Sequence, residues 1–375
     1  MADWRVALNV AEAAKNAGST TRRRSVVAAL DPLGCDAACR QLPAMNDSCD
    51  VSALVRALLE ISPTTRAVAH YSPAECLAAM RDLGLFLGSI KRHGAEPLAV
   101  VPHLAPVLHE LARRTDMIPR DTIHHYTEWN PVGPRQRTYT GRPPETVLID
   151  SVRTVLPHLS NAIDLCGSLL ELSPLAPSFA SLLADLAQET HFFGHPISEV
   201  VTQVSPQFFA QVLRPYFEEI TVDGTVYLGP AAANIPLFLV DLAVWASDHG
   251  QHSYTLFMQE SARHTLPRWR VLLPLWNQQP SLVTRMTSLL HALPAEPLPT
   301  PLREAASSLT TVLQNLLIFR GKHITIARQA YKEGVALYPT GSGGGDIDLL
   351  RSIIGLTRQH RAVVVSSVSY TAPPR

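Results

Sequence analysis

The sequence predicts a mainly α protein carrying one small β-hairpin. Apolar residues recur at spacings of three and four through most of the chain, the period of a helix with one packed face. A single stretch alternates instead. EITVDGTVYLG (219–229) sets Ile220/Val222 and Val226/Leu228 on either side of Asp223-Gly224, a two-residue hairpin turn. The bulk composition agrees: 375 residues, 46% hydrophobic and 17% charged, can bury a large core.

The elements follow in order. PAECLAAMRDLGLFLGSIK (73–91) places Cys76/Leu77, Met80, Leu83/Gly84, Leu87 and Ile90 on one side of a helix, with Gly94 as its C-terminal stop. A second helix is expected from Pro97 to Arg114, its proline in the tolerant first turn. Thr115 to Pro144 is rich in proline and glycine and reads as a surface excursion or a lid. Glu145 to Leu172 reads as a longer helix, and Ser205-Pro206 opens another, serine capping and proline following. Pro230 to Ser247 is apolar nearly all round, as a central core helix is. Ala292 to Pro301 is a proline-rich linker into a last long helix, and a further helix starts near Asp346. The chain thus divides into an extension over 1–24, an N-terminal helical part over 25–144 and a C-terminal helical part over 145–375.

Charge narrows the function classes. Lys+Arg and Asp+Glu number 32 each, so no overall positive field recruits nucleic acid or an anionic membrane. Arg22-Arg23-Arg24 is a short solvated cluster. The N-terminus lacks the apolar run of a signal peptide, and IPLFLVDLAVWA is too short to span a bilayer. Five cysteines without a paired C-x-x-C pattern point to reduced thiols and a cytoplasmic setting. Cys35 and Cys39, four apart, have the spacing of half a metal site, but no second pair follows.

The chemistry-bearing candidates cluster near the C-terminus. A stripe of Leu309, Val312, Leu316, Phe319, His323, Ile326 and Ala330 is apolar except for its histidine. On spacing alone this is a core histidine satisfied by a carbonyl, or a metal ligand. A lone histidine cannot hold zinc, which wants three or four ligands, but it can hold a haem iron, whose porphyrin supplies four. Gly321 and Ala327 leave room beside it. Tyr331 lies about 80° round the same helix from His323. The loop GSGGG (341–345) lacks the lysine of a P-loop and any βαβ unit around it. It is either a flexible turn or a ligand-wrapping loop with the Ser342 hydroxyl as donor.

Other candidates carry weaker signals. Arg92-His93 reads as a polar helix end. His124-His125 are adjacent, a poor arrangement for one metal, and the His191/His195 pair is broken by Gly194 and Pro196. No G-x-S-x-G marks a serine hydrolase. Trp129, Trp245 and Trp269 read as packing, because no basic residues interleave with them.

The run His-x(7)-Tyr followed by Thr-Gly-Ser-Gly-Gly resembles the C-terminal block of the monodechloroaminopyrrolnitrin synthases. These are haem enzymes of the tryptophan/indoleamine dioxygenase superfamily. AAMRDLGLFLGSIKRHGAEPLAVVPHLAPVLHELAR (78–113), SPQFFAQVLRPYFEEI with YLGPAAANIPLFLV (205–240) and FRGKHITIARQAYKEG (319–334) resemble it too, over roughly residues 25 to 360. The resemblance implies a helical haem-binding bundle of that superfamily's type. It implies His323 as proximal ligand of haem b, Tyr331 and Ser342 as substrate-binding residues, and Gly341 and Gly343 beside the cofactor. It implies oxidative rearrangement of tryptophan or a chlorinated tryptophan to an aminophenylpyrrole, with dioxygen or peroxide as oxidant and an electron donor as a possible partner. An indole 2,3-dioxygenase or aromatic hydroxylase on the same scaffold is the alternative. A non-catalytic helical binding protein, with His323 in its core, is the reading from another class.

Overall fold

The computed structural model describes residues 25–293, 298–332, 334–335, 337–338, 341 and 343–370. These residues are mostly helical, and the described strands are Ile220–Val222 and Thr225–Tyr227, paired antiparallel with Thr221 opposite Val226. Asp223 and Gly224 turn the hairpin with φ of 44° and 77°, the two left-handed positions such a turn requires. No described helix is long and apolar enough to cross a membrane.

The chain forms two compact units. One comprises Met1–Asp150, Phe208–Asn234 and Arg263–Arg268; the other comprises Ser151–Gln207, Ile235–Ala262 and Trp269–Arg375. The expected cut between 144 and 145 falls in the first turn of the helix Pro143–Glu171.

In the first unit the helix Pro73–Arg92 is central. A capping box starts it: the Ser72 hydroxyl accepts from Glu75 N at 3.2 Å and the Glu75 carboxylate accepts from Ser72 N at 2.7 Å. Gly94, at φ +85°, ends it, its N–H reaching Lys91 O while Ala95 N reaches Ile90 O. The sequence predicts one apolar face here; the structure buries every residue from Ala78 to Ile90. Two glycines explain the difference. A β-carbon at Gly84 would lie 2.2 Å from Asp121 Cγ, and one at Gly88 would lie 2.7 Å from the Tyr139 hydroxyl.

Asp121 and Tyr139 belong to the segment expected as a surface excursion or lid. Its proline- and glycine-bearing parts, Val132–Pro134 and Gly141–Pro143, are exposed as expected, but residues 119–131 are buried throughout. Its polar groups bond one another rather than water, which is what buried polar backbone requires. The Asn130 side-chain amide donates to Tyr126 O and Arg137 O and accepts from Arg137 N, each at 2.8 Å. Glu145 accepts from the Tyr126 hydroxyl, Tyr139 N, Thr140 N and the Thr140 hydroxyl. The expected helix from Pro97 to Arg114 is broken into Pro97–Val100, a short 3-10 turn and Ala105–Thr115. Pro102 excludes helical geometry from the residue before it, and Val101 sits at φ −133°, ψ 64°.

In the second unit Thr300–Ala330 packs against Phe179–His191, Gly194–Gln203 and Ile347–Tyr370. The core segment expected from Pro230 is largely buried but starts its helix only at Leu237, after Pro236, and widens into a π turn over Leu242–Ala246. Ser205 does precede a helical segment that opens with Pro206. The final helix starts at Ile347, where the Asp346 carboxylate accepts from Leu349 N at 2.7 Å. Trp245 and Trp269 are fully buried. Part of the expected linker, 294–297, lies outside the described residues.

Candidate active site

The helix Thr300–Ala330 holds the expected stripe, and its first half is packed as predicted. Leu309, Val312 and Leu316 are buried. Asn315 donates to Ala187 O at 2.8 Å, and Lys322 Nζ donates to Gly194 O and the Ser198 hydroxyl. Phe319 meets Phe193 edge-on. From Phe319 onward the stripe opens, and His323 is exposed rather than on a packed inward face. Among the described residues no hydrogen bond engages its ring. Burial by the surrounding chain, with the Arg320 guanidinium adding to it, still pulls the His323 pKa down to about 4. At neutral pH it is an uncharged imidazole with a lone pair to offer.

Tyr331 caps the C-terminus of this helix, its N–H bonded to Ala327 O. Its hydroxyl points at the glycine loop: a β-carbon at Gly341 would lie 2.8 Å from that oxygen. The loop is a closed turn, not a loose one. Gly341 N donates to Gly345 O at 2.9 Å and Gly344 N donates to Gly341 O at 3.0 Å, with Gly344 at φ +78°. Gly343 is buried. Ser342, between them, lies outside the described residues. The structure thus joins Tyr331 to the loop through Gly341.

A strut that the sequence did not disclose connects loop and helix. Gly345 packs on the Phe257 ring, Phe257 stacks near Tyr254, and the Tyr254 hydroxyl donates to Asp241. Asp241 also accepts from Trp245 Nε1 at 3.2 Å and pairs with Arg320, one turn before His323. Asp241, Trp245 and Tyr254 are all buried. Nothing in linear spacing links Asp241, Tyr254 and Arg320; the one signal was a charged residue inside the apolar run IPLFLVDLAVWA.

A family model described as monodechloroaminopyrrolnitrin synthase PrnB matches residues 40–368, most of the chain. The chain belongs to that family. It is accordingly an oxygenase-like biosynthetic enzyme acting on a tryptophan derivative. The matched span includes His323, Tyr331 and the whole GSGGG loop, and leaves Cys35 and Cys39 outside.

The residues present fit the haem that this synthase family implies. An accessible, neutral imidazole with no hydrogen-bond partner among the described residues is the donor a porphyrin iron requires. Beside it, a β-carbon on Gly321 would meet nothing within 4 Å, so that flank of the helix is bare. The five other histidines that the sequence singles out stand elsewhere. His93 ends the Pro73–Arg92 helix and meets Asn46 Oδ1 at 3.3 Å. His125 Nδ1 accepts from Thr122 N, and His124 pairs with Glu128, both buried. His191 and His195 stand with ring centroids 5.2 Å apart, the helix interrupted between them.

Proposed function

We propose that this synthase-family enzyme binds haem through His323 and rearranges the indole ring of L-tryptophan or a ring-chlorinated tryptophan oxidatively. The product would be an aminophenylpyrrole, formed with loss of the carboxyl carbon, on the way to a pyrrolnitrin-type antibiotic. The observation that carries this reading is the His323 ring, neutral, exposed and without a hydrogen-bond partner among the described residues, on a helix whose first half is packed into the core.

Bound haem iron supplies the oxygen chemistry, with dioxygen or peroxide as oxidant. The chain's own residues orient the substrate and control water. The His323 imidazole would be the residue that holds the haem iron. The Tyr331 hydroxyl, at the rim formed with Gly341, binds the amino-acid end of the substrate, together with the Ser342 hydroxyl. Gly341 and Gly343 bring backbone close to bound groups, since no side chain stands in the way. The Arg320–Asp241 pair and the Tyr254–Phe257 stack hold loop and helix in one arrangement, so the substrate meets a preformed surface.

The test is spectroscopic. Haem-reconstituted protein should show a Soret band that shifts on addition of tryptophan, and His323→Ala should lose the haem. Retention of haem by that variant would reject the ligand assignment. Product masses from tryptophan and chlorotryptophan separate rearrangement from simple 2,3-cleavage and from hydroxylation.

A further inference from the structure

The spacing of Cys35 and Cys39 lacks a second half in the sequence, and the tertiary structure supplies one. Cys35 is the N-cap of the helix Asp36–Asp47 and Cys39 lies one turn in, so both thiols leave the same face. That face meets Asp82 on the Pro73–Arg92 helix. Cys35 Sγ is 3.7 Å from Cys39 Sγ and 3.3 Å from Asp82 Oδ2, and the three ligand atoms lie within 4.8 Å of one another. All three residues are buried. A tetrahedral zinc with its usual bond lengths has S···S edges of about 3.8 Å and S···O edges of about 3.5 Å. We propose that Cys35, Cys39 and Asp82 form a structural binding site for a zinc-like divalent cation, separate from the haem site.

The neighbouring charges admit the ion. Asp82 pairs with Arg81 and Arg137, Asp36 pairs with Arg135 and Arg137, and Asp31 accepts from Cys35 N, which sets three carboxylates beside three guanidiniums. With both thiols protonated this cluster is neutral. Binding replaces two thiol protons by one divalent cation, forms two S–metal bonds and releases two protons, so the cluster stays neutral. The lone pairs also suit. Asp82 Oδ1 accepts from Arg81 Nε and Arg137 Nε; Oδ2 accepts from Arg81 Nη2 and the Cys35 thiol. Loss of the thiol proton vacates an Oδ2 lone pair on the side of the two sulfurs. The arginines then orient the ligating carboxylate, as outer partners of metal ligands do. Asp31, whose Oδ1 is 3.4 Å from Cys35 Sγ, is the nearest donor for a fourth position. The hydrogen bond with Cys39, burial and the adjoining carboxylates hold the Cys35 thiol protonated until a cation displaces the proton.

The full-length protein, reduced and stripped with a chelator, is titrated with zinc in weak buffer. One equivalent should bind and release two protons. Cadmium exchanged into the same site should give one NMR resonance in the range of two-thiolate coordination, without recourse to any variant. Cys35→Ser and Cys39→Ser should each weaken zinc binding at least tenfold while haem content is unchanged. Three results would overturn the site: no uptake by the wild type, cadmium bound without thiolates, or a reduced-versus-native mass difference showing Cys35 and Cys39 joined as a disulfide.

Discussion

Tyr331 places its hydroxyl where a β-carbon at residue 341 would come within 2.8 Å, so the contact exists only because that residue is glycine. Gly341→Val should push the phenol away from the loop. Losing one substrate hydrogen bond costs about 1–1.5 kcal/mol, so KM for tryptophan should rise about tenfold. Haem content, read from the Soret band, should stay the same. His360 offers a different single-residue test. It is stacked on Trp245, and burial, with His249 nearby, lowers its pKa to about 4. In the unfolded chain a histidine titrates near 6.5, so between those values the unfolded state takes up the proton and the folded state does not. The stability from this group is complete above about pH 6.5 and is lost as pH falls towards 4, amounting to about 2–3 kcal/mol. His360→Phe keeps a stacked ring and cannot titrate; its unfolding midpoint should fall less steeply than wild type between pH 6.5 and 4. A steeper fall would refute this account.

Helices carry the site only as far as their anchors hold. Asp241 is buried and ties three elements together through Trp245, Tyr254 and Arg320. Asp241→Asn would leave the Arg320 guanidinium buried without its counter-charge. Breaking a pair of this kind costs about 3–5 kcal/mol, and denaturant unfolding should report a loss of that size. An unchanged midpoint would show that the helix Thr300–Ala330 is held by its apolar contacts alone. Helix starts and stops were legible in the sequence wherever a local device sets them. Ser72 with Glu75, Gly94, and Asp346 before Ile347 are such devices. The break at Pro102 was not read, although its cause is equally local.

Over the whole chain, residues 40–368 follow one family pattern, and the expected cofactor is the largest single ligand the fold would gain. Haem that binds the folded state only should raise the unfolding midpoint, by about 2.7 kcal/mol in stability at a hundredfold excess over its Kd. A thermal scan with and without haem checks this, and His323→Ala should abolish the shift. The same comparison for zinc, in the absence of haem, keeps the two sites distinguishable.

The sequence by itself determined the helical class, the hairpin with its Asp223-Gly224 turn, and the short run of residues proposed here as the site. Periodicity, caps and turn residues act over a few positions and can be read from them. The tertiary structure alone decided that His323 is exposed on a helix packed in its first half, and that residues 119–131 of the loop-rich segment are interior. It also decided that Asp82 completes the face of Cys35 and Cys39. Burial, unlike helical phase, depends on which distant side chains satisfy a polar group. Asn130 with Arg137, Glu145 with Tyr126, and Asp241 with Arg320 are partners that no local spacing announces.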